Sequence, residues 1–181
     1  MELVAKPFLF IRHGETFHNR ARVIAGSRDV LLTPKGQQQA IAARAALHHW
    51  QGEIVAASSL RRAVQTAELA LPAQRIATFD GLRERNWGPL ELGPVLAEMP
   101  YLDPPAGAEP WVPFVERVGT TLNHLLERYH HPVVVAHSGV FRAIRQLVHG
   151  SHRGESAPNA LPIAILPPDA SHAEWRFGTQ I

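Results

Sequence analysis

Several features are absent from this sequence, and each absence narrows the classes of protein it can represent. The 181 residues contain no cysteine, which excludes disulfides and thiolate chemistry and is typical of a reducing compartment. No apolar run approaches the roughly 20 residues of a membrane-spanning helix. The N-terminal residues lack the layout of a signal peptide, so we expect a cytoplasmic protein. Without repeats or low-complexity tracts, residues 1–181 are expected to form a single domain.

An excess of charge of one sign is also missing. The formal net charge is +2, and Lys and Arg never form a run longer than a pair, so neither nucleic acid nor a membrane surface is an expected partner. Motifs for nucleotide phosphates, for a serine nucleophile and for a zinc-binding helix are absent. The eleven histidines do not stand with carboxylates at metal-ligand spacing, so we expect no metal and no cofactor. Oligomeric state is left open between monomer and homodimer.

Along the sequence, short apolar runs typical of strands alternate with stretches whose apolar residues have helical spacing. Strands are predicted over residues 8–11, 53–58, 75–79, 133–137, 162–166 and 174–177. Helices are predicted from 34 to about 50, 60–71, 115–129 and 140–148. Residues 17–32 are expected to be a long connection, and the seven prolines of residues 86–113 predict a lid-like loop. This alternation predicts an α/β fold, a three-layer α/β/α sandwich around a mainly parallel sheet.

The first predicted strand ends in a polar cluster, Arg12, His13 and Gly14. In an open α/β sheet, ligands bind at the carboxyl ends of the strands. A histidine there can act as base, nucleophile or metal ligand, and a guanidinium beside it favours a planar anion such as phosphate or carboxylate. Taken alone, the cluster is equally compatible with a solvated strand end.

Four stretches together carry a family resemblance. They are RHGETFHN (12–19), SSLRRAVQTA (58–67), LRERNWG (82–88) and VVVAHSGVFR (133–142). In this order, they resemble the motifs of the histidine phosphatase superfamily, the phosphoglycerate-mutase-like enzymes, over residues 9–166. The resemblance implies a phosphoglycerate-mutase-like fold and phosphoryl transfer from a small phosphorylated metabolite through a phosphohistidine.

The resemblance also implies roles for individual residues. His13 would attack phosphorus, Arg12 and Arg62 would clamp the phosphoryl oxygens, and His137 would stabilise them as an imidazolium or N–H donor. Asn19 and Ser138 complete the implied phosphate-binding set. Asn19 has an alternative reading as a turn former, and a lone histidine such as His137 is often a hydrogen-bonded core residue.

Glu84 is the implied general acid and base, because it precedes Gly88 in the pattern L-x-E-x-x-x-G. On its own, it would be read as one member of a solvated charged run. Glu15 is the second choice for the acid.

Three functions are compatible with these residues. The first is a phosphomonoesterase, the second a cofactor-dependent phosphoglycerate mutase, and the third a catalytically quiet phospho-ligand-binding protein. The short interval between Glu84 and His137 and the lack of a basic C-terminal tail favour the phosphatase. The sequence departs from the family pattern at Leu92, Ala108 and Pro110, which affects specificity. A mutase would need a second anion grip, and three arginines could provide it, Arg28, Arg83 and Arg85.

Overall fold

A computed structural model describes residues 1–178 of the chain. The strands are β1 (Phe8–Arg12), β2 (Val55–Ser58), β3 (Ile76–Phe79), β4 (Val133–Ala136), β5 (Pro162–Leu166) and β6 (Arg176–Gly178). The helices are α1 (Phe17–Ala21), α2 (Pro34–Leu47), α3 (Arg61–Ala70), α4 (Trp111–Arg128) and α5 (Ser138–His149). Short 3-10 turns lie at Asp80–Leu82 and Gly88–Leu90.

The six strands form one sheet in the order β3-β2-β4-β1-β5-β6. The pairs β3–β2, β2–β4 and β4–β1 are parallel, whereas β5 and β6 join the β1 edge in antiparallel pairs. The sheet is therefore mixed and mostly parallel, as predicted. Its parallel half brings the carboxyl ends of β1, β2 and β4 to one edge.

Apolar cores lie on both faces of the sheet, which confirms the three-layer arrangement. In β1, Phe8 and Phe10 point to the core under α4 and α5, while Leu9 and Ile11 point to the core under α2 and α3. Successive strand side chains alternate between faces, so a fully apolar strand must be covered on both sides. Every residue of β4 is likewise buried.

The structure corrects several predicted boundaries. The connection 17–32 contains the short helix α1, which Thr16 and Asn19 begin with reciprocal side-chain caps. Helix α2 ends at Leu47, three residues before the predicted Trp50. Helix α4 starts at Trp111 and includes Pro113, because a proline in the first helical turn forfeits no intrahelical hydrogen bond.

Residues 86–113 are otherwise largely irregular before α4, as predicted, and β6 lies two residues later than the predicted strand 174–177. Within residues 1–178, no helix is both long and apolar enough to cross a membrane. A single domain over residues 1–181 stays a prediction.

Candidate active site

The carboxyl ends of three parallel strands place the candidate residues together. Strand β1 continues into His13, whose backbone N–H donates to the Ala136 carbonyl of β4 at 2.9 Å. His137 follows β4 directly, and Ser58 is the last residue of β2. The rings of His13 and His137 lie 5.2 Å apart between centroids. The predicted pair of histidines is thus side by side.

The surroundings of His13 fix its protonation and its orientation. The ring is buried, and Nδ1 lies 2.7 Å from the carbonyl oxygen of Gly14. A carbonyl only accepts, so Nδ1 carries the proton and Nε2 keeps its lone pair. Burial lowers the pKa of His13 well below 6.5, and the charges of Arg62 and Arg12 lower it further. His13 is therefore a neutral imidazole with Nε2 free to bond.

Arg62 directs its guanidinium at that lone pair. Its Nε donates to Nε2 of His13 at 3.2 Å, and its other nitrogens donate to the carbonyls of Gly26 (2.8 Å) and Arg28 (2.7 Å). Only 2% of the residue is exposed, and burial lowers its pKa to about 10, which leaves it charged at neutral pH. Arg62 is held rigidly by backbone oxygens, whereas its neighbour Arg61 is exposed, as predicted.

Arg12, the last residue of β1, directly precedes His13. Its Nη1 donates to the Ala157 carbonyl at 3.0 Å, while its buried Nε has no hydrogen-bond partner within residues 1–178. Burial lowers the pKa of Arg12, and the nearby Glu84 carboxylate partly offsets this effect. A buried donor without a partner is costly unless a ligand completes it.

His137 has the same incomplete pattern. It is fully buried, its Nε2 lies 2.7 Å from the Ser58 hydroxyl, and its Nδ1 has no partner within residues 1–178. Burial lowers the pKa of His137 well below 6.5, with further lowering by Arg62 and His13. A neutral N–H donor fits these surroundings better than an imidazolium.

Glu84 reaches the site from the loop after β3. One carboxylate oxygen accepts the Gly139 N–H at 3.0 Å, and the other accepts the Arg85 N–H at 2.8 Å. Gly139 lies in the first turn of α5, where free backbone N–H groups attract anions. Glu84 therefore stands between two main-chain donors at the cleft wall and is not a member of a solvated run.

The cleft has a volume of about 160 Å³. Six of the seven predicted site residues line it, namely Arg12, His13, Asn19, Arg62, Glu84 and Ser138. The seventh, His137, is buried with its ring beside that of His13. Asn19 caps α1, because its Oδ1 accepts the Thr16 N–H at 3.1 Å, and it also lines the cleft, while its contact with phosphate stays a prediction. The proline-rich segment supplies Trp87, Val95, Met99 and Tyr101 to the opposite wall.

Glu15 is not part of this cleft. Its carboxylate accepts the Thr33 hydroxyl at 2.9 Å and pairs with Arg20 (3.0 Å) and Lys35 (3.3 Å). The hydrogen bond from Thr33 leads in lowering the pKa of Glu15, which is therefore an ionised structural carboxylate. The second choice for the acid was wrong.

The three arginines considered for a second anion grip do not line the cleft. Arg28 pairs with Glu91 at 3.1 Å, and Arg83 lies 4.0 Å from Asp80 on the surface. Arg85 is completely buried, donates to the carbonyls of Glu109 and Tyr101, and stacks against Trp87. Arg85 organises the proline-rich segment and is not available to a ligand.

Four supporting residues were not predicted from the sequence. Ser58 orients His137, Thr66 accepts the Gly14 N–H at 3.0 Å, and Asn159 donates to the His13 carbonyl at 2.8 Å. The Glu91 carboxylate accepts from Ser27 and from the Trp87 N–H, which fixes the loop whose carbonyls hold Arg62. Ser58 and Thr66 lie in the stretch 58–67 that carries the resemblance, whereas Glu91 and Asn159 lie outside all four stretches, and the sequence indicated the partners of none of them.

Within residues 1–178, no group of three or more His, Cys, Asp or Glu side chains is arranged to hold a metal ion. The arrangement instead offers two guanidinium groups, two neutral imidazoles and one carboxylate around a small cleft. Such donors suit a tetrahedral oxyanion.

The fold and the cleft define an α/β protein with two arginines and two histidines at the carboxyl edge of its sheet. Residues 8–162 match the histidine phosphatase superfamily (branch 1). The chain belongs to that superfamily and is an enzyme of it.

Comparison with known proteins agrees with this assignment. The chain is 30% identical to phosphoglycerate mutase-like protein 4 of Arabidopsis thaliana over 79% of this chain and 71% of that protein. Several other curated relatives are matched over less than half of their length. Among solved structures, a candidate alpha-ribazole-5'-P phosphatase from Escherichia coli superposes with a TM-score of 0.82 at 25% identity, over 98% of both chains.

The mycobacterial glucosyl-3-phosphoglycerate phosphatase Rv2419c superposes with a TM-score of 0.83 over 97% of this chain and 98% of that one. At 23% identity, this second likeness concerns the fold alone.

Proposed function

We propose that this protein is a phosphomonoesterase that hydrolyses a small phosphorylated metabolite through a phosphohistidine on His13. One observation carries the proposal. The Gly14 carbonyl holds the proton on Nδ1, so the lone pair of Nε2 faces the guanidinium of Arg62. A neutral nucleophile beside a fixed cation is the arrangement that attack on a phosphate ester needs.

In the first step, Nε2 of His13 attacks phosphorus and the bond to the ester oxygen breaks. In the structure Arg62 donates to Nε2 of His13. When substrate binds, Arg62 must instead donate to a phosphoryl oxygen, which frees the Nε2 lone pair for attack. Arg12 meets the same group from the other side with its Nε, which has no partner within residues 1–178. The two cations lie where negative charge is concentrated, which is the main source of stabilisation in phosphoryl transfer.

His137 serves as a neutral donor. If the Ser58 hydroxyl donates to its Nε2, the opposite ring nitrogen, Nδ1, carries the proton and can donate to a phosphoryl oxygen. Asn19 and Ser138, which line the same cleft, add polar contacts to the phosphate.

Glu84 handles the proton. In its acid form it donates to the leaving oxygen as the ester bond breaks. The resulting carboxylate then removes a proton from a water molecule that attacks phosphorus, the bond to Nε2 breaks, and inorganic phosphate and neutral His13 result. The position of Glu84 at the wall of the cleft supports this assignment.

The phosphatase is preferred to the mutase because a mutase must hold a bisphosphorylated intermediate away from water. The three arginines considered for the second phosphate do not line the cleft. The structural relative from E. coli is described as a phosphatase, which points in the same direction. The catalytically quiet binder is the least favoured, because the residues proposed as nucleophile, clamp and acid all line one cleft.

The test has two arms. Turnover of p-nitrophenyl phosphate separates an enzyme from a quiet binder. Incubation with 3-phosphoglycerate and catalytic 2,3-bisphosphoglycerate separates the two enzymes, with inorganic phosphate as the expected product. Rapid formation of 2-phosphoglycerate with little phosphate release would overturn the proposal in favour of the mutase.

A further inference from the structure

A second cleft lies directly beside the candidate active site. Its volume is about 290 Å³, and it shares two wall residues, Met99 and Tyr101, with the first cleft. Its other lining residues include one acid and three basic side chains, namely Glu98, Arg142, His152 and Arg153. A group attached to a phosphate in the first cleft would therefore enter a basic compartment on passing Tyr101.

Arg142 is the best-placed donor of this second cleft. It projects from α5, is half-buried, and lies with its guanidinium carbon 5.1 Å from the centre of the Tyr101 ring. Its Nη1 donates to the His152 carbonyl at 3.1 Å, whereas its buried Nε has no partner among residues 1–178. Over the same described range, neither Arg142 nor Arg153 forms an ion pair.

The positive charge here is not balanced by an ion pair within the described chain. The pKa of His152 is lowered, first by burial and then by the charges of Arg142 and Arg153. The pKa of Arg12 is lowered mainly by burial, and the charge of Arg142 lowers it further. The two guanidinium groups are therefore close enough to affect each other electrostatically. A cleft whose arginines lack ion pairs favours an anionic ligand.

We propose that this second cleft is a subsite for a second anionic group of the substrate, a carboxylate or a phosphate, with Arg142 as its principal donor. The inference rests on the proposed phosphomonoesterase function and narrows its substrate class to esters that carry another anion. Arg28, Arg83 and Arg85 are engaged elsewhere, which leaves Arg142 and Arg153 at the boundary of the catalytic cleft.

The first test needs no variant. 3-Phosphoglycerate and glycerol 3-phosphate differ by a carboxylate in place of a hydroxymethyl group, and both carry the same type of ester. We expect kcat/KM to be higher for 3-phosphoglycerate by about tenfold or more, the scale of one charge-assisted hydrogen bond. Comparing propane-1,3-diol bisphosphate with propane-1,3-diol monophosphate tests a second phosphate in the same way. The two pairs together show whether the subsite prefers a carboxylate or a phosphate.

The second test assigns the effect to Arg142. Arg142→Met should reduce the preference, measured as the ratio of the two kcat/KM values, to near one, and Arg142→Lys should restore part of it. Arg145→Met is the matched control, because Arg145 lies one turn later on α5, stacks on Phe141 and lines neither of the two clefts. This control should keep the preference of the unaltered protein.

The outcomes separate the subsite from the function. Two results would overturn the subsite and leave the phosphatase proposal standing. One is turnover of all esters with no preference in either pair, and the other is a preference that Arg142→Met does not reduce. If p-nitrophenyl phosphate is not turned over, the proposed function fails. The subsite can then still be tested by calorimetry, which compares the binding of 3-phosphoglycerate with that of glycerol 3-phosphate. Tighter binding of 3-phosphoglycerate that is lost in Arg142→Met supports the subsite, and equal binding of the two esters overturns it.

Discussion

The backbone of Gly139 is in direct contact with the carboxylate of Glu84. The Gly139 N–H donates to one oxygen of the Glu84 carboxylate at 3.0 Å, and a Cβ built on Gly139 would lie 2.1 Å from the other oxygen. Real Cβ atoms do not approach an oxygen so closely, so any side chain here must displace the carboxylate. The glycine in this helix turn is thus required by the group it faces, and not by its own backbone angles.

Gly139→Ala should therefore reproduce much of the effect of removing the acid. We expect kcat for an alkyl phosphate to fall on the order of 10²-fold, because a poor leaving group needs a proton from Glu84. The loss for p-nitrophenyl phosphate should be much smaller, since that group leaves without one. Glu84→Gln is the comparison variant and should show the same dependence on the leaving group. Equal losses on both esters, in either variant, would move the acid role to another residue.

His13→Ala should abolish turnover while the protein stays folded. The reason is that Nε2 of this ring is the only nucleophile presented to Arg62 in the proposed reaction. His18→Ala is the control, because His18 belongs to the same stretch of chain but does not line the cleft, and it should retain activity. Rapid-quench labelling should also find acid-labile, base-stable phosphate on His13. Label trapped on a carboxylate or a serine would contradict the mechanism.

Stability should depend on pH through the two buried histidines. Burial lowers the pKa values of His13 and His137 well below 6.5, so the unfolded chain binds protons that the folded chain does not. The free energy of unfolding is then highest above about pH 6.5 and decreases as the pH falls, by at most about 2.7 kcal/mol per pH unit for two protons. Urea unfolding between about pH 7.5 and 5.5 measures the slope.

His137→Asn removes one of the two fully buried rings and should reduce that slope by somewhat less than half, because His152, whose pKa is also lowered, still contributes. The carboxylates do not interfere, because the ordinary pKa values of Asp and Glu lie below about 4.5. A free energy of unfolding that stays constant over this range would show that the two rings are protonated in the folded protein.

Leu92→Gly should stabilise the protein. Leu92 has φ of +68°, in the left-handed region that favours glycine, and its side chain is 57% exposed. Relief of the backbone strain is expected to raise the free energy of unfolding by about 1 kcal/mol, less the entropy that glycine adds to the unfolded chain. Thermal unfolding measures the gain. Leu96→Gly, at an exposed position without positive φ, should destabilise instead.

The residues that sequence reasoning placed correctly owe their positions to local patterns. His13 and His137 each follow a short apolar strand, and parallel strands bring their carboxyl ends together. Arg62 was found because the stretch SSLRRAVQTA (58–67) resembles the superfamily's motif, and it lies in the first turn of α3. Local pattern therefore predicted most of the fold, whereas the resemblance to the superfamily supplied the principal side chains of the cleft.

What the sequence could not supply depends on contacts between distant segments. The Ser27–Glu91 hydrogen bond joins residues 64 positions apart, and the Ser58–His137 pair spans 79. Arg85 was considered for a second anion grip because the sequence does not show that Trp87 and the distant Trp111 pack against its guanidinium. The departure at Leu92 was noticed, but its positive φ required the folded backbone.

The enclosure of Arg85 by two indole rings also gives the protein an optical reporter. Trp87 and Trp111 are two of the four tryptophans, and they are 5% and 6% exposed at the two ends of the proline-rich segment. Any movement of that segment away from the cleft would bring the indoles into water and shift their fluorescence to longer wavelengths. Stopped-flow emission can therefore time substrate entry and product release in the unlabelled enzyme, with Trp50 and Trp175 replaced by phenylalanine to remove the background.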